Sequence, residues 1–233
     1  MGDNTKLPPG QYELDKFPRF GLSQFANRFP KEINNIQLKI DGDVETPVIV
    51  SNELKELTRV EQISDFHCVT TWTRRSVRWS GFRFSDLFHQ IVVPKTKPKR
   101  EAIFVIFKCQ DGYATSLPLT DLLADGVILA DNLDGNPLTI EHGAPIRLIA
   151  PEHYGYKNAK HLRGIEFWVD DRKYGSAAFR FMDHPRARVA LEERGRGIPS
   201  WLLRYLYRPL VRPTIWQFRR ALESYLTSRT PHD

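Results

Sequence analysis

The rhythm of apolar and polar positions changes several times along the chain. Residues 1–30 are rich in Pro, Phe and Gly and hold no sustained period, which predicts an irregular arm wrapped over a domain. From Ile36 the segment IQLKIDGDV alternates apolar with polar residues up to Asp41-Gly42, a turn dipeptide, and predicts a strand ending in a hairpin-type turn. The run SNELKELT (51–58) opens on a good cap and sets Leu54 and Leu57 on one face, predicting a short helix. VEQISDFHCVTTWT is β-rich, and FRFSDLFHQI (82–91) predicts a second short helix capped by Ser85. AIFVIFKCQ is a continuous apolar run of the kind buried on both faces of a sheet. Asp111-Gly112 then turns the chain into YATSLPL, and LTDLLADGVILA is helical in pattern up to Gly126. PIRLIAP and GIEFWVD are predicted strands on either side of EHYGYKNAKHL. Strands and short helices alternate without a regular βαβ repeat, so the fold class is α+β with a mixed sheet.

The last sixty residues differ. IPSWLLRYLYRPLVRPTIWQFRRALESYL is helical, aromatic and basic, and Pro209 and Pro213 should break or kink it into at least two pieces. The chain therefore divides into a domain over 1–170 and a basic helical C-terminal extension over 171–233. The net charge of +6 is a property of that extension, because acids and bases nearly balance before it. Trp201, Leu202, Tyr205, Leu206 and Leu210 are expected to cover one face of the domain. The alternative is that they dock an electron-transfer partner or lie against an anionic membrane surface, aided by Arg204, Arg208 and Arg212. No aromatic stacking platform accompanies the charge, so nucleic acid is not expected as a partner.

At 233 residues with 41% hydrophobic content the chain can bury a sizeable core. No apolar run approaches the roughly 20 residues that span a bilayer. The start, MGDNTKLPPGQYELDKFP, carries no basic-then-apolar export segment, so the expected location is the cytoplasm. Cys68 and Cys109 are too few for a disulfide scaffold or a four-thiolate metal site. Phosphate-cradling, zinc-protease and serine-hydrolase motifs are missing, and the histidines show no paired ligand spacing, so hydrolase and phosphoryl-transfer chemistries have no footing.

Three segments stand out. In DFHCVTTWTRRSVRWSGFRF, Cys68 ends a β-like run and is followed by Arg74, Arg75 and Arg78. Guanidinium charge favours a thiolate, which is a nucleophile and a soft-metal ligand, although a buried apolar cysteine beside a solvated basic loop has the same pattern. In EHGAPIRLIAPEHYGYKNAKHLRGIEFW, rigid Gly and Pro turns carry Arg147, Lys157, Lys160 and Asn158. That is a cradle for a polyanion, or an ordinary turn-rich connection with solvated lysines. In KCQDGYATSLPL, Tyr113 either presents its phenol to a cleft or sits at a strand edge.

In this order, HCVTTW with WSGFRFSDL, DGYATSLPL, and LADNLDGNPLTIEHGAPIRLIAPEHYGYKNAKHLRGIEF resemble the molybdopterin-binding domain of the sulfite oxidase family, most closely its short bacterial members. The likeness runs from about Pro8 to Val169, with LPPGQ and FPRFGL near its start. It implies a mixed-sheet domain holding molybdenum on a single pyranopterin, with the Cys68 thiolate as metal ligand. By the same resemblance Arg147 and Lys160 oppose the pterin phosphate, and Cys109, His142, Asn158 and Ala159 line the cofactor. Arg19 and Phe20 of the arm cover it. Tyr113 matches the active-site tyrosine of the sulfite-oxidising branch, and Arg74 or Arg75 would hold a small oxyanion over the metal. Cys109 stands where a branch of the family has Thr, and His142 where it has Asn. No cytochrome module or CxxCH is present, which implies a separate electron-transfer partner beside the small-molecule substrate. The expected activity is two-electron oxygen-atom transfer on a small oxyanion or sulfoxide-like substrate; the alternative is a cofactor-binding or interaction module that has lost catalysis.

Overall fold

The computed structural model describes residues 6–229; the first five residues of the predicted arm and the last four of the tail lie outside them. The arm contributes β1 (Tyr12–Glu13), followed by β2 (Leu38–Gly42) and β3 (Val48–Val50). β4 (Arg59–His67) turns at Cys68 into the long β5 (Trp72–Arg83). α1 (Phe84–Asp86) and α2 (Val93–Thr96) flank a π-helical stretch, Leu87–Val92, so one short helical rod follows β5. Then come β6 (Phe104–Cys109), β7 (Ala114–Pro118), α3 (Leu119–Leu122), β8 (Ile128–Leu133), β9 (Asn136–Pro137), β10 (Arg147–Ile149) and β11 (Leu162–Trp168). α4 (Ser200–Tyr207) and α5 (Val211–Thr227) close the chain, joined by the 3-10 turn Arg208–Leu210.

The strands form two sheets. In one, β5 is bordered by β1, β4 and β8, and β8 carries β9 and β10; in the other the order is β3-β2-β11-β6-β7. β11 runs parallel to β2 and antiparallel to β6, so the sheet is mixed, as the α+β reading requires. β6 justifies its continuous apolar run, since Val105, Ile106 and Phe107 are all buried. The main core draws on both sheets and the helical rod, through Leu38, Ile40, Phe84, Leu87, Leu129 and Phe167. A second core holds Phe66, Trp72, Trp79 and Ile149, and Tyr12, Phe17 and Phe20 of the arm pack on it together with Ile215 of α5. The two ends of the chain thus cover the same aromatic cluster.

Several local expectations change. Asp41-Gly42 does not close a tight hairpin. Gly42 sits at φ +111° where a Cβ would meet the Phe167 carbonyl oxygen at 2.1 Å, so the glycine is required by the close passage of β11. Phe82 stays in β5, paired with Leu129, and Ser85 is inside the helix it was expected to cap. α3 stops at Leu122, short of Gly126. Pro209 lies in the 3-10 turn between α4 and α5, whereas Pro213 falls in the first turn of α5, where a missing N–H costs no hydrogen bond.

The extension becomes regularly helical only at Ser200, apart from a 3-10 turn at Arg180–Met182. Its irregular first part is tied to the domain. Lys157 pairs with Asp183 at 3.1 Å, Arg186 pairs with Asp121, and Val189 N donates to the Glu152 carbonyl. In α4 and α5 the inward residues are Leu203, Tyr207, Val211, Phe218 and Ala221. Trp201, Leu202, Tyr205, Leu206 and Leu210, expected to cover the domain, point to solvent instead.

Candidate active site

Cys68 follows β4 directly and begins a tight turn. Its N–H donates to the Trp72 carbonyl at 2.8 Å, and Thr71 N–H donates back to the Cys68 carbonyl at 3.1 Å. Thr71 is held at φ +84°, a left-handed conformation that a β-branched residue resists by about 1–3 kcal/mol. The turn is clamped from the arm, where Gln11 Nε2 donates to the Cys68 carbonyl at 3.0 Å. It is clamped from the extension as well: Arg194, fully buried, donates to the Val69 carbonyl at 2.6 Å and to the Pro9 carbonyl at 2.8 Å. The Cys68 sulfur lies 3.1 Å from the Thr70 hydroxyl. Burial pushes the thiol pKa up, opposed by Thr70 and by the charges of Arg194 and Lys160.

A cavity opens in front of this sulfur. Phe17, Phe20, Phe66, Trp72, Tyr113 and Tyr156 supply its aromatic walls. Arg19, Asp111, Asn158, Lys160 and His161 supply its polar groups. Tyr207 and Phe218 close one side from α4 and α5. A smaller adjoining cavity shares Leu22, Val69, Tyr113, Tyr156 and Met182 and continues to Ala114, Ala178 and Tyr174.

The cations are arranged unusually. Arg147 is fully buried; it donates to the carbonyls of His142 (2.8 Å) and Asn158 (3.4 Å), and its Nε has no hydrogen-bond partner. Its guanidinium lies 5.5 Å from the centre of the Phe66 ring and 5.0 Å from that of Trp79. Burial lowers its pKa to about 9. Lys160 donates to the Glu141 carbonyl at 3.1 Å, and burial with the charges of Arg147 and Arg19 lowers it to about 7. Arg19 donates to the carbonyls of Ala26 and Arg28 at 2.7 and 2.9 Å, and Phe29 and Phe218 flank it. Burial and the neighbouring cations hold His142 and His161 neutral down to about 3. His142 stacks on Phe17 with ring centres 5.0 Å apart, and its Nδ1 has no partner. Asp111 offsets the charge only in part, since burial pushes its carboxyl pKa up.

Of the residues singled out in the sequence, Cys68, Tyr113, Arg19, Phe20, Asn158 and Lys160 line the cavity. Arg147 and His142 stand in the wall behind it, against Phe66 and Phe17. Asn158 acts on the backbone, with its Oδ1 accepting from Ala150 N–H at 2.7 Å and its Nδ2 donating to carbonyls of the same loop. Ala159 and Cys109 are packed in the main core and do not line the cavity. Arg74 and Arg75 do not reach it either. They follow Thr73 on β5, and Arg75 lies 3.9 Å from Asp65 and 4.0 Å from Glu13. His161, Asp111 and Arg194 were not singled out; His161 had a signal in its place next to Lys160, whereas Arg194 is brought in from more than a hundred residues away.

Bulky aromatic walls, a soft sulfur and buried cations with open donor positions suit a large, flat, anionic group with a metal at one end. The buried, unpartnered Arg147 Nε and His142 Nδ1, near Lys160, leave polar atoms that a bound anionic group could satisfy. A molybdenum pyranopterin with its phosphate fits that description. These features suit an enzyme built around a bound anionic cofactor. The family model for the oxidoreductase molybdopterin binding domain matches residues 26–175, and the chain belongs to that family. It is a molybdopterin-dependent oxidoreductase with a single molybdenum pyranopterin as cofactor.

The chain is 37% identical over 163 residues to the uncharacterized oxidoreductase YuiH of Bacillus subtilis, spanning 70% of this chain and 79% of that protein. It is 29% identical over 181 residues to the protein-methionine-sulfoxide reductase catalytic subunit MsrP of Campylobacter jejuni, of which it spans 57%. The sulfane dehydrogenase SoxCD of Paracoccus pantotrophus shares the fold, with a TM-score of 0.51 and 20% identity over 65% of this chain and 43% of that one. The expected cytoplasmic location does not stand against the similarity to the methionine-sulfoxide reductase catalytic subunits MsrP.

Proposed function

We propose that this enzyme reduces a sulfoxide to a thioether by two-electron oxygen-atom transfer. The observation that carries this reading is the surface next to Cys68. It continues from the Cys68 cavity into a smaller one lined by Leu22, Val69, Tyr113, Tyr156 and Met182, where Asp183 is the one charged side chain among the described residues and neither Arg74 nor Arg75 takes part. An oxyanion needs a cationic grip at that surface, whereas a neutral S=O group flanked by methylenes needs an apolar wall. The similarity to a methionine-sulfoxide reductase catalytic subunit points the same way. The overall change is balanced as sulfoxide plus two electrons and two protons giving thioether and water.

The roles of the residues follow from their positions. Cys68 provides a thiolate to the metal, whose charge overcomes the burial that otherwise keeps the thiol protonated. Bound there, the molybdenum pyranopterin supplies the two-electron couple and the site of oxygen transfer. Arg147 and Lys160 would neutralise the pterin phosphate, with His142 and His161 close to them. Phe17, Phe20 and Trp72 exclude water from the flat face. Tyr113 is pinned by its hydroxyl, which donates to the Tyr156 carbonyl at 2.6 Å, and burial keeps it a phenol; it walls off the substrate surface. Electrons arrive from a separate redox protein, consistent with a relative named as a catalytic subunit.

The test is a paired assay on protein made in a host that synthesises the cofactor. Viologen-coupled reduction of methionine sulfoxide is expected to exceed sulfite oxidation by about tenfold or more in kcat/KM. Sulfite oxidation as the faster reaction would overturn the substrate assignment.

A further inference from the structure

A surface helix of a soluble domain ordinarily turns one apolar stripe inward and a polar face outward. α4 departs from this. Leu203 and Tyr207 face inward, yet the opposite side carries Trp201 (58% exposed), Tyr205 (73%) and Leu206 (54%), continued by Leu210 (53%) in the 3-10 turn. Ten of the fifteen exposed large hydrophobic side chains among the described residues lie at or beyond Phe179, outside the family match that ends at 175. Isolated exposed leucines need no explanation, but a concentration of this kind on one short element marks a surface that binds.

The charge of the same segment identifies what it binds. Between Ser200 and Thr227 the chain has five arginines (204, 208, 212, 219 and 220) and one acidic residue, Glu223, which lies 3.8 Å from Arg219. Arg204 is held by Glu192 of the preceding loop, Arg208 lies over the Tyr12 ring at 5.2 Å and Arg220 over Trp216 at 5.3 Å. Arg212 and Arg219 stand exposed beside them. Of the outward residues Trp201, Leu202, Tyr205, Leu206 and Leu210, only Trp201 and Tyr205 have a hydrogen-bonding group, each at the tip of an apolar ring. A lipid surface asks for Trp, Tyr and Leu at headgroup depth and arginines beside anionic phosphates. Among the described residues no helix is long and apolar enough to cross a membrane, so the contact is peripheral.

We propose that the outward face of α4 and its junction with α5 docks this oxidoreductase onto an anionic lipid bilayer, with α4 lying in the plane of the headgroups. The docking is separate from the cofactor cavity, because Tyr207 and Phe218 contribute to the cavity from the inward side of the same helices.

The experiment is flotation of the full-length, cofactor-loaded protein with vesicles of phosphatidylcholine alone or with about one third phosphatidylglycerol. The protein should float with the anionic vesicles, and raising salt from about 0.1 M to about 0.5 M should release it. Trp201→Ser with Tyr205→Ser should weaken vesicle binding about tenfold or more, with turnover on a soluble sulfoxide unchanged. Arg212→Gln with Arg219→Gln should weaken it less and flatten the salt dependence. Because all four side chains are at the surface, retained molybdenum content and melting temperature report that these variants fold. Absence of vesicle binding at low salt overturns the proposal, including the case where the face captures only an acidic protein. Equal binding to neutral vesicles overturns its electrostatic half.

Discussion

The cavity and the C-terminal helices break the inside–outside rule in opposite directions. Around Cys68 the interior holds cations, with Arg147 fully buried and no carboxylate hydrogen-bonded to it. On α4 the exterior holds Trp, Tyr and Leu. Burying a guanidinium against aromatic rings and carbonyls weakens the empty protein, and exposing aromatic side chains forgoes burial they would otherwise gain. Each region is explained by what it receives: an anionic cofactor inside, and an apolar, anionic layer outside. A local violation of packing logic is therefore the most informative feature in either region, more so than the well-formed sheets between them.

The contrast can be broken most forcefully at the metal position. Cys68→Ser should lower sulfoxide reduction by about 10²-fold or more, measured with a viologen donor, while the fold persists because a serine fits the same turn. Arg147→Met should reduce the molybdenum content several-fold, measured by elemental analysis. In the cofactor-free form the same change should raise stability by about 1–4 kcal/mol, measured by denaturant unfolding; a loss of stability would mean that the arginine is a structural rather than a receiving group.

The pH dependence sharpens the same point. Lys160 has a folded-state pKa of about 7 against its ordinary 10.5, so the unfolded chain binds more protons between those values. The stability of the cofactor-free protein should therefore rise with pH from about 7 towards 10.5, and fall as pH is lowered back to 7. Loading the cofactor should flatten that rise, since a phosphate beside Lys160 favours the protonated amine. Comparing melting temperatures across this range for both forms, and for Lys160→Met, checks it. A smaller effect is expected at Gly155, where a Cβ would meet the Phe66 ring at 2.5 Å; Gly155→Ala should cost about 1–3 kcal/mol by displacing the ring packed on Arg147. The smallest belongs to the outer surface: Trp201→Ser should change stability in solution by less than about 0.5 kcal/mol, in contrast to its effect on vesicle binding.

Much of the fold was legible because its signals are local. The unbroken run ending at Cys109 is β6, and the alternation from Ile36 is β2. The mixed-sheet family resemblance carried the global arrangement, which no local rhythm contains. What was not legible depends on direction. Arg74 and Arg75 follow Cys68 in sequence, yet neither lines the cavity, and which residues of β5 border it is not written in composition. α4 has two apolar faces, and the pattern alone does not say whether Leu203 and Tyr207 or Trp201 and Tyr205 meet the domain. Arg194 needs knowledge of which carbonyls converge on it from Pro9 and Val69.

That last contact has a consequence in time as well as in space. Arg194 staples the incoming arm to the loop after Cys68, while Phe17 and Phe20 from one terminus and Tyr207 and Phe218 from the other enclose the same cavity. The segments that finish the enclosure lie on either side of the sheets in sequence, one before β2 and one after β11. Delivery of a bulky guest is therefore expected to require both segments to stand open, and its departure to require their release. Retention of the cofactor becomes a question of how often two ends open together, a rate set far from the metal it protects.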